Sequence, residues 1–245
     1  MIYLASTSPR RRELLRKIKI AFQIVQTRYR ERPDLTASPS KLAVRHALGK
    51  AENAVVPGNE GCVLGVDTLI YFRKRILGKP KTVEHAYRML KSFSGRSHYV
   101  YSAIAFVDLK TGRKLVNWDK TRVTFNRLST ATIRRYLSRV NPLDKAGGYA
   151  IQHGKELIHT IRGSYTNVMG LPVELLNWSF ANFFLPPCGG GKVGGQKAVF
   201  SLKPPIQLPP QGGKSPKGRR YKSNLKSPVL KKDLGHFKNL VGHVG

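Results

Sequence analysis

The chain has 245 residues, which is enough for one sizeable hydrophobic core, and its 44 Lys and Arg residues against 13 Asp and Glu give a net charge of +31. Such a charge favours anionic partners, whether nucleotides, nucleic acids or acidic membrane surfaces. The two cysteines have different sequence contexts and no metal-ligand spacing, which argues against a disulfide framework and a zinc site. Since the apolar stretches are too short for a signal peptide or a spanning helix, we expect a soluble, cytoplasmic protein with no membrane partner.

The first three quarters of the chain alternate strand and helix signals. A short apolar strand from Ile2 to Ala5 precedes Ser8 and Pro9, which supply a cap and a first-turn proline for a helix ending near Lys17. Free backbone N–H groups at such a helix start form a ready anion site. The further predicted elements are a strand over 22–25, a helix over 38–53, a strand over 63–72, a turn over 73–75, a helix over 82–93, a hairpin of strands over 99–109 and 114–125, and a helix from 129. The pattern predicts an α/β fold.

The composition changes sharply near Pro186. Residues 186–245 hold 12 Lys and Arg and a single acidic residue, with abundant Gly and Pro and little apolar periodicity. We therefore predict one folded domain over 1–185 and a basic, disordered extension over 186–245. An artefact such as a frameshift or read-through is favoured as the origin of this extension over selection for RNA binding. Residues 1–185 carry 32 basic and 12 acidic residues, a net charge of +20, so the predicted domain is itself basic.

One carboxylate, Asp67, interrupts the apolar strand predicted over 63–72. A carboxylate in such a strand has to be paired, protonated or bound to a cation, because its desolvation is otherwise very costly. Asp67 is therefore a candidate catalytic residue. A structural aspartate that caps the following turn is the alternative interpretation.

Several spaced motifs are typical of proteins that handle nucleoside triphosphates. They are Ser6–Arg11, Gly65–Thr68, Leu77–Pro80, Phe93–His98, Asp144–Gln152 and Gly163–Val168. In this order they resemble the Maf family of nucleotide pyrophosphatases, over roughly Met1 to Leu176. The resemblance implies a two-lobed unit with a cleft, like that of inosine triphosphatases, in which helices flank a mixed twisted sheet. It also implies hydrolysis of the α–β phosphoanhydride bond, which releases a nucleoside monophosphate and pyrophosphate.

The resemblance also implies roles for particular residues. Asp67 would be the proton acceptor, and Asp67 with Glu31 would hold a divalent cation, Mg²⁺ or Mn²⁺. Glu31 has Arg30 beside it where family members often carry a second acid, and an exposed loop glutamate is the alternative for this residue. The implied phosphate-binding residues are Ser6, Ser8, Arg10, Lys50, Lys79 and Lys145.

Base selection is implied for Arg11, Thr68 and Gln152, the set associated with the subgroup that acts on dTTP and UTP. A Gln amide offers both a donor and an acceptor, which suits a pyrimidine edge with a carbonyl beside an N–H. The sequence therefore predicts a nucleoside triphosphate pyrophosphatase for dTTP and UTP, or for modified pyrimidine nucleotides. The family further implies a homodimer and a role in nucleotide-pool clearance or in cell-division arrest.

A nucleic-acid-binding protein built on a nucleotide-hydrolase fold is the alternative function. The basic charge of the predicted domain and of the extension supports it, whereas the extension lacks an aromatic stacking platform, so nucleic-acid binding through the extension is not favoured. Two other features are set aside. His98 is interpreted as structural or solvent-facing because no Ser or Cys nucleophile signature lies near it, and Gly189–Lys192 lacks the spacing of a phosphate-binding loop.

Overall fold

The computed structural model describes residues 1–32, 34 and 37–184 of the chain. Over these residues it confirms the predicted α/β class, with a seven-stranded mixed sheet flanked by helices. The predicted disordered extension over 186–245 lies outside the described residues, and the predicted domain boundary after residue 185 stays a prediction. No helix among the described residues is long and apolar enough to cross a membrane.

The secondary structure follows the predicted order. The strands are β1 (Ile2–Ala5), β2 (Gln23–Ile24), β3 (Cys62–Phe72), β4 (Arg75–Leu77), β5 (Ser97–Asp108), β6 (Lys114–Phe125) and β7 (Ile158–Arg162). The helices are α1 (Pro9–Lys17), α2 (Pro39–Glu52), α3 (Val83–Phe93), α4 (Thr130–Leu137), α5 (Tyr165–Met169) and α6 (Val173–Phe184). Every element predicted from the sequence forms, with ends displaced by no more than about two residues. The structure adds β4, β7, α5 and α6, which were not predicted as elements.

Side-chain caps start three of the helices as expected. The hydroxyls of Ser38, Thr82 and Ser129 each accept a hydrogen bond from a backbone N–H in the first turn of α2, α3 and α4. The expected cap at Ser8 is wrong in detail, because its side chain makes no capping hydrogen bond at the start of α1. The Ser8 backbone N–H instead donates to the Ser6 hydroxyl, 3.4 Å away.

The strand order of the sheet is β2-β1-β3-β5-β6-β7, with β4 paired to β3. The first part of β3, up to Gly65, pairs in parallel with β1, and its last part, from Ile70, pairs antiparallel with β4. Between these two segments, residues 66–69 have no strand partner on that side among the described residues. We call this stretch the open edge of β3.

The sheet is covered unequally on its two faces. On one face, apolar side chains pack with α1, α5 and α6 around Leu4, Leu64 and Ile104, and farther along with α3 and α4 around Val100 and Val123. On the other face the buried cluster is formed with α2 alone among the described helices. Its members include Tyr3, Val25, Ala43, Ala47, Ala51, Val63, Ala103 and Ala105.

Gly65 sets how closely α2 approaches the sheet. A Cβ atom at this position would stand 2.1 Å from the carbonyl oxygen of Ala47, which is far inside a van der Waals contact. A side chain here would push the helix backbone away from β3. The close approach matters because Lys50 lies one turn beyond Ala47, and Asp67 lies two residues beyond Gly65.

His98 is part of the core, in agreement with its structural interpretation. It is buried at the start of β5, where its Nε2 lies 2.7 Å from the Tyr149 hydroxyl and its ring stacks on Phe93. Burial lowers the pKa of His98 to about 3. The unfolded chain therefore binds this proton more tightly than the folded chain, and stability contributed by neutral His98 is lost as the pH falls from about 6.5 towards 3.

We expect His98→Gln to reduce the acid sensitivity of the fold. Because one proton is taken up on unfolding in this window, the wild-type chain should lose about 2 kcal/mol more of its free energy of unfolding between pH 7 and pH 5 than the variant does. Urea unfolding at the two pH values measures the difference. His159→Gln, at an exposed position of β7, controls for the loss of a histidine. Parallel pH profiles for the wild type and His98→Gln would contradict the assignment.

Candidate active site

The candidate active site surrounds the open edge of β3. Asp67 and Thr68 are consecutive residues of this strand, so their side chains point to opposite faces of the sheet. Asp67 contacts Lys50 on the face covered by α2, and Thr68 contacts Arg11 on the face covered by α1 and α5. Among the described residues, no strand pairs with β3 on the β1 side at these two positions.

Lys50 links two carboxylates on the α2 side of the site. Its Nζ lies 2.6 Å from Oδ1 of Asp67 and 2.6 Å from Oε1 of Glu31, and it also lies 3.5 Å from the Val66 carbonyl oxygen. Asp67 is only 4% exposed. Its pairing with an ammonium group answers the question that the sequence raised about a carboxylate in an apolar strand.

The second oxygen of Asp67 has a different environment. Oδ2 is buried and has no hydrogen-bond partner among the described residues. A buried polar atom without a partner costs about 1–3 kcal/mol, so such atoms in folded proteins normally meet water, an ion or a ligand. Lys50 therefore holds one oxygen of the carboxylate and leaves the other free to accept a proton or to bind a cation.

Glu31 is exposed, as in the loop interpretation, and its carboxylate is paired with Lys50. Its role as a metal ligand stays a prediction. Partial burial raises the pKa of Glu31, but the charge and hydrogen bond of Lys50 outweigh it, so that the net shift is downward.

The carboxylates of this side suit a hard divalent cation. Among the described residues there is no group of three or more His, Cys, Asp or Glu side chains that could hold a metal alone. Mg²⁺, however, is commonly bound by one or two carboxylates together with substrate phosphate oxygens and water. The unpartnered Oδ2 of Asp67 and the adjacent Glu31 fit that donor set.

Arg11 organises the opposite side of the open edge. Its Nε donates to the carbonyl oxygen of Gly170 at 2.9 Å, and its terminal nitrogens donate to the hydroxyls of Ser6 at 2.8 Å and Thr68 at 3.1 Å. Burial lowers the pKa of Arg11 and the charge of Asp67 opposes this, and a guanidinium keeps its charge in proteins. These contacts use three of the five N–H donors of the group, and the others face no described acceptor.

A hydrogen-bond network that sequence reasoning did not assign holds Thr68 in place. The Ser102 hydroxyl lies 2.9 Å from the Thr68 hydroxyl and donates to the Asn167 carbonyl oxygen at 3.1 Å. The Asn167 side chain in turn donates to the Val100 carbonyl oxygen and the Thr121 hydroxyl. The motif Gly163–Val168 had marked this region without giving it a role. No helix was predicted there because α5 has only five residues, which are too few to show helical periodicity.

Gly170 completes this side through its backbone. It ends α5 in the left-handed region, with φ of 110°, and its carbonyl oxygen accepts from Arg11 at 2.9 Å and from the Thr68 hydroxyl at 3.2 Å. A residue with a Cβ is strained at this φ, so the turn that brings this carbonyl to Arg11 depends on glycine.

A cavity of about 480 Å³ is lined by Lys145 and Gln152, among other residues. Lys145 is buried and donates to Asp144 at 2.5 Å and to the Asn141 carbonyl oxygen at 2.8 Å. Oε1 of Gln152 is buried without a hydrogen-bond partner among the described residues. Burial raises the pKa of Asp144, but Lys145 and then the charge of Arg10 lower it more, so that the net shift is downward.

The predicted site residues fall into two groups. Direct contacts on the two sides of β3 define the first group, which consists of Ser6, Arg11, Glu31, Lys50, Asp67 and Thr68. Lys145 and Gln152, which line the cavity, form the second group, and no described hydrogen bond joins it to the first. No described contact joins Arg10 or Lys79 to either group. The hydroxyl of Ser8 has no described contact with either group.

The comparison with known families agrees with this arrangement. A family model described as Maf-like protein matches residues 1–183. The chain belongs to the Maf family. The resemblance inferred from the motifs is therefore confirmed over the whole of the described domain.

Three Maf relatives, all named dTTP/UTP pyrophosphatase, illustrate the similarity. The protein of Gloeobacter violaceus is 43% identical over 183 residues, which cover 74% of this chain and 95% of the relative. That of Carboxydothermus hydrogenoformans is 40% identical over 185 residues, or 73% of this chain and 99% of the relative. That of Bacillus cereus is 39% identical over 176 residues, or 71% and 91%.

We expect Arg11→Lys to destabilise this Maf domain. A lysine carries the charge but not the planar fork, so the acceptors Ser6, Thr68 and Gly170 cannot all be satisfied, and the free energy of unfolding should fall by about 1–3 kcal/mol. Arg10→Lys is the matched control at the neighbouring position and should change it by less than about 0.5 kcal/mol. Equal urea midpoints for the two variants would show that the fork of Arg11 does not hold the site together.

Proposed function

We propose that this chain hydrolyses the α–β phosphoanhydride bond of dTTP and UTP, or of modified pyrimidine nucleotides, to a nucleoside monophosphate and pyrophosphate. The names of the relatives support this activity. The observation that carries the proposal is the carboxylate of Asp67, which is buried at the open edge of β3 with one oxygen paired to Lys50 and the other without a partner. A general base needs this combination of a fixed orientation and a free oxygen.

Asp67 would act on the attacking water. As the water oxygen forms its bond to the α-phosphorus, Oδ2 takes the proton, and the bond to the bridging oxygen breaks with its electron pair leaving on pyrophosphate. Lys50 would hold Oδ1 and so fix the plane of the carboxylate. Cationic side chains would offset the charge that moves onto the leaving group. Those available on both sides of the site are Arg10, Lys50, Lys79 and Lys145.

Glu31 would hold a divalent cation, Mg²⁺ or Mn²⁺, together with the substrate phosphates, and Asp67 would be its second protein ligand until Oδ2 takes the proton of the water. When bound, such an ion neutralises the polyphosphate charge and makes the α-phosphorus easier to attack. The protein's own part is to keep two carboxylates next to each other without mutual repulsion, and the ammonium of Lys50 does this at 2.6 Å from each.

Base selection would fall to the cavity that holds Gln152. Its buried Oε1 has no described partner, so an N–H of the base could complete it, while its amide N–H groups could donate to the adjacent carbonyl. Arg11 and Thr68 would select the base through the shape of their own side of the site. Their hydrogen bonds with Ser6 and Gly170 fix the width of the site there.

We expect the reaction to draw on the cytoplasmic nucleotide pool, where it would remove excess or noncanonical pyrimidine nucleotides. A homodimer and a link to cell-division arrest stay predictions from the family. Both are independent of the chemistry at Asp67, so neither outcome would change the assignment of the reaction.

The test is pyrophosphate release from a panel of nucleoside triphosphates by the wild type and Asp67→Asn. We expect release from dTTP and UTP to exceed that from CTP and GTP, and Asp67→Asn to lower turnover by roughly 10²–10⁴-fold. The matched control is Asp119→Asn, which makes the same change in the neighbouring part of the sheet and should leave turnover nearly unchanged. No release from any member of the panel would refute the proposed reaction. Near-normal turnover in Asp67→Asn would refute the role of Asp67 alone.

Gln152→Leu should alter selectivity more than turnover. With the amide gone, the carbonyl and N–H of uracil or thymine are left unpaired in the cavity, and discrimination against CTP should fall by about 1–3 kcal/mol, roughly 5- to 150-fold in the ratio of kcat/KM values. Asp67→Asn should instead slow all substrates alike, because it acts on the water. If Gln152→Leu keeps the wild-type order of kcat/KM for UTP, dTTP, CTP and GTP, Gln152 does not recognise the base.

A further inference from the structure

A second surface of the sheet combines aromatic rings with cations. It consists of Tyr71, Tyr99, Tyr101, Trp118, Lys120 and Arg122, and we call it the aromatic sheet face. The strand register pairs Tyr71 with Tyr99, Tyr99 with Arg122 and Tyr101 with Lys120, and Trp118 lies two residues before Lys120 on β6. Directly paired residues share a face, as do residues two apart, so all six side chains stand on one side of three adjacent strands.

The rings form a continuous group centred on Tyr101. Its ring centroid lies 6.3 Å from that of Tyr71, 6.5 Å from that of Tyr99 and 5.9 Å from that of Trp118. Trp118 is 41% exposed and lies on the part of β6 that precedes its pairing with β7. Rings in contact that remain partly open to solvent offer π surfaces on which further planar groups can stack.

This face continues the side of the sheet that α2 covers only in part. The buried cluster under α2 reaches Ala103 of β5, with Leu69 of β3 packed against it. The next residues outward on the same face are Tyr71 and Tyr101, where the aromatic sheet face begins. The opposite side of these strands is buried under α3 and α4, so the sheet here has one packed face and one accessible face.

The charges of the aromatic sheet face have one sign. The Lys120 ammonium lies 5.3 Å from the ring centroid of Tyr99, and Arg122 donates to the Ser97 hydroxyl at 3.1 Å, so the described contacts of both cations are with neutral groups. None of the six residues is acidic. The domain over 1–185 adds 32 basic and 12 acidic residues, a net charge of +20, which attracts a polyanion from a distance.

These charges argue against two other occupants. A second copy of this chain would bring its own Lys120 and Arg122 to a face that already carries them, and like charges across an interface are repulsive. The extension over 186–245, with 12 basic residues and one acidic residue, has the same sign of charge as the face. A single-stranded nucleic acid meets both requirements, since its bases stack on aromatic rings and its phosphates pair with cations.

We propose that the aromatic sheet face binds single-stranded nucleic acid, with bases stacked on Trp118 and the tyrosines and with phosphates held by Lys120 and Arg122. This binding is a further activity of the chain. It uses none of the residues assigned to nucleotide hydrolysis and does not rest on the proposed function.

The test is the affinity of the full-length chain for fluorescent oligouridylate of about a dozen nucleotides, a length within the range of known stacking surfaces, with a 5′-hydroxyl end that offers no phosphoanhydride bond. The same length of oligothymidylate distinguishes DNA from RNA, and an RNA duplex tests for stacking. We expect both single strands to bind more tightly than the duplex, because the bases of a duplex are not free to stack. Tight binding of only one single strand would still support the proposal and would identify the natural ligand as RNA or DNA.

Trp118→Ala should weaken binding about tenfold or more, whereas Trp118→Phe, which keeps an aromatic ring, should retain most of it. Lys120→Gln should reduce the slope of log affinity against log salt by about 0.7, as expected for one lost phosphate contact with a single strand. Lys91→Gln is the matched control, because Lys91 is an exposed residue of α3 on the opposite side of the sheet. Urea unfolding of each variant checks that the fold is intact.

Unchanged affinity in both Trp118→Ala and Lys120→Gln would overturn the proposal and would assign any nucleic-acid binding to another basic part of the chain. Equal affinity for duplex and single strands would also overturn it. Sedimentation of the same proteins measures self-association. In one further outcome, the chain binds no oligonucleotide and Trp118→Ala abolishes self-association. That result would make the aromatic sheet face a contact between two copies.

Discussion

The open edge of β3 is the constraint on which the candidate active site depends. β3 has 11 residues, whereas β1 has 4 and β4 has 3, so the two shorter strands leave a gap on the same side of the longer one. A strand edge normally exposes backbone groups that invite pairing. Here Asp67 lies beside the gap on one face of the sheet and Thr68 on the other, and in the proposed function a ligand at the gap contacts both. Different helices pack on the two faces, and they place a different set of polar groups on each side of the gap.

The ion pair between Lys50 and Asp67 is a costly feature for a fold to contain. Removing both charges from water costs several kcal/mol per ion, and the attraction between them repays this only with good geometry and further hydrogen bonds. Lys50 meets that condition through its contacts with Glu31 and the Val66 carbonyl oxygen, but the Oδ2 atom of Asp67 does not. We interpret this incomplete satisfaction, beside a paired Lys50, as room for the water, cation or substrate of the proposed reaction.

Sequence patterns were sufficient for the long elements and insufficient for the connections between sites. Strand β3 and helix α3 have strong periodicity or caps, and both form where predicted. The fork of Arg11 to Thr68 and Gly170 was not predictable, because it joins residues 57 and 159 positions apart through side-chain geometry. The same applies to Ser102, whose hydroxyl gains its role only from the register of β5 on β3. The motif resemblance could assign Thr68 to base selection, but it could not predict which groups hold the Thr68 hydroxyl.

The placement of α2 links the two activities inferred for the sheet. Because Gly65 lets the helix lie close to β3, Lys50 reaches Asp67, and the apolar cover that the helix provides ends near Leu69 and Ala103. Asp67, Leu69 and Tyr71 alternate along one face of β3, so the carboxylate, the end of the helix cover and the first exposed ring follow one another at two-residue spacing. A helix set farther out would lose the ion pair. A longer cover would bury the rings. One local packing choice therefore determines both the position of the candidate base and the extent of the aromatic sheet face.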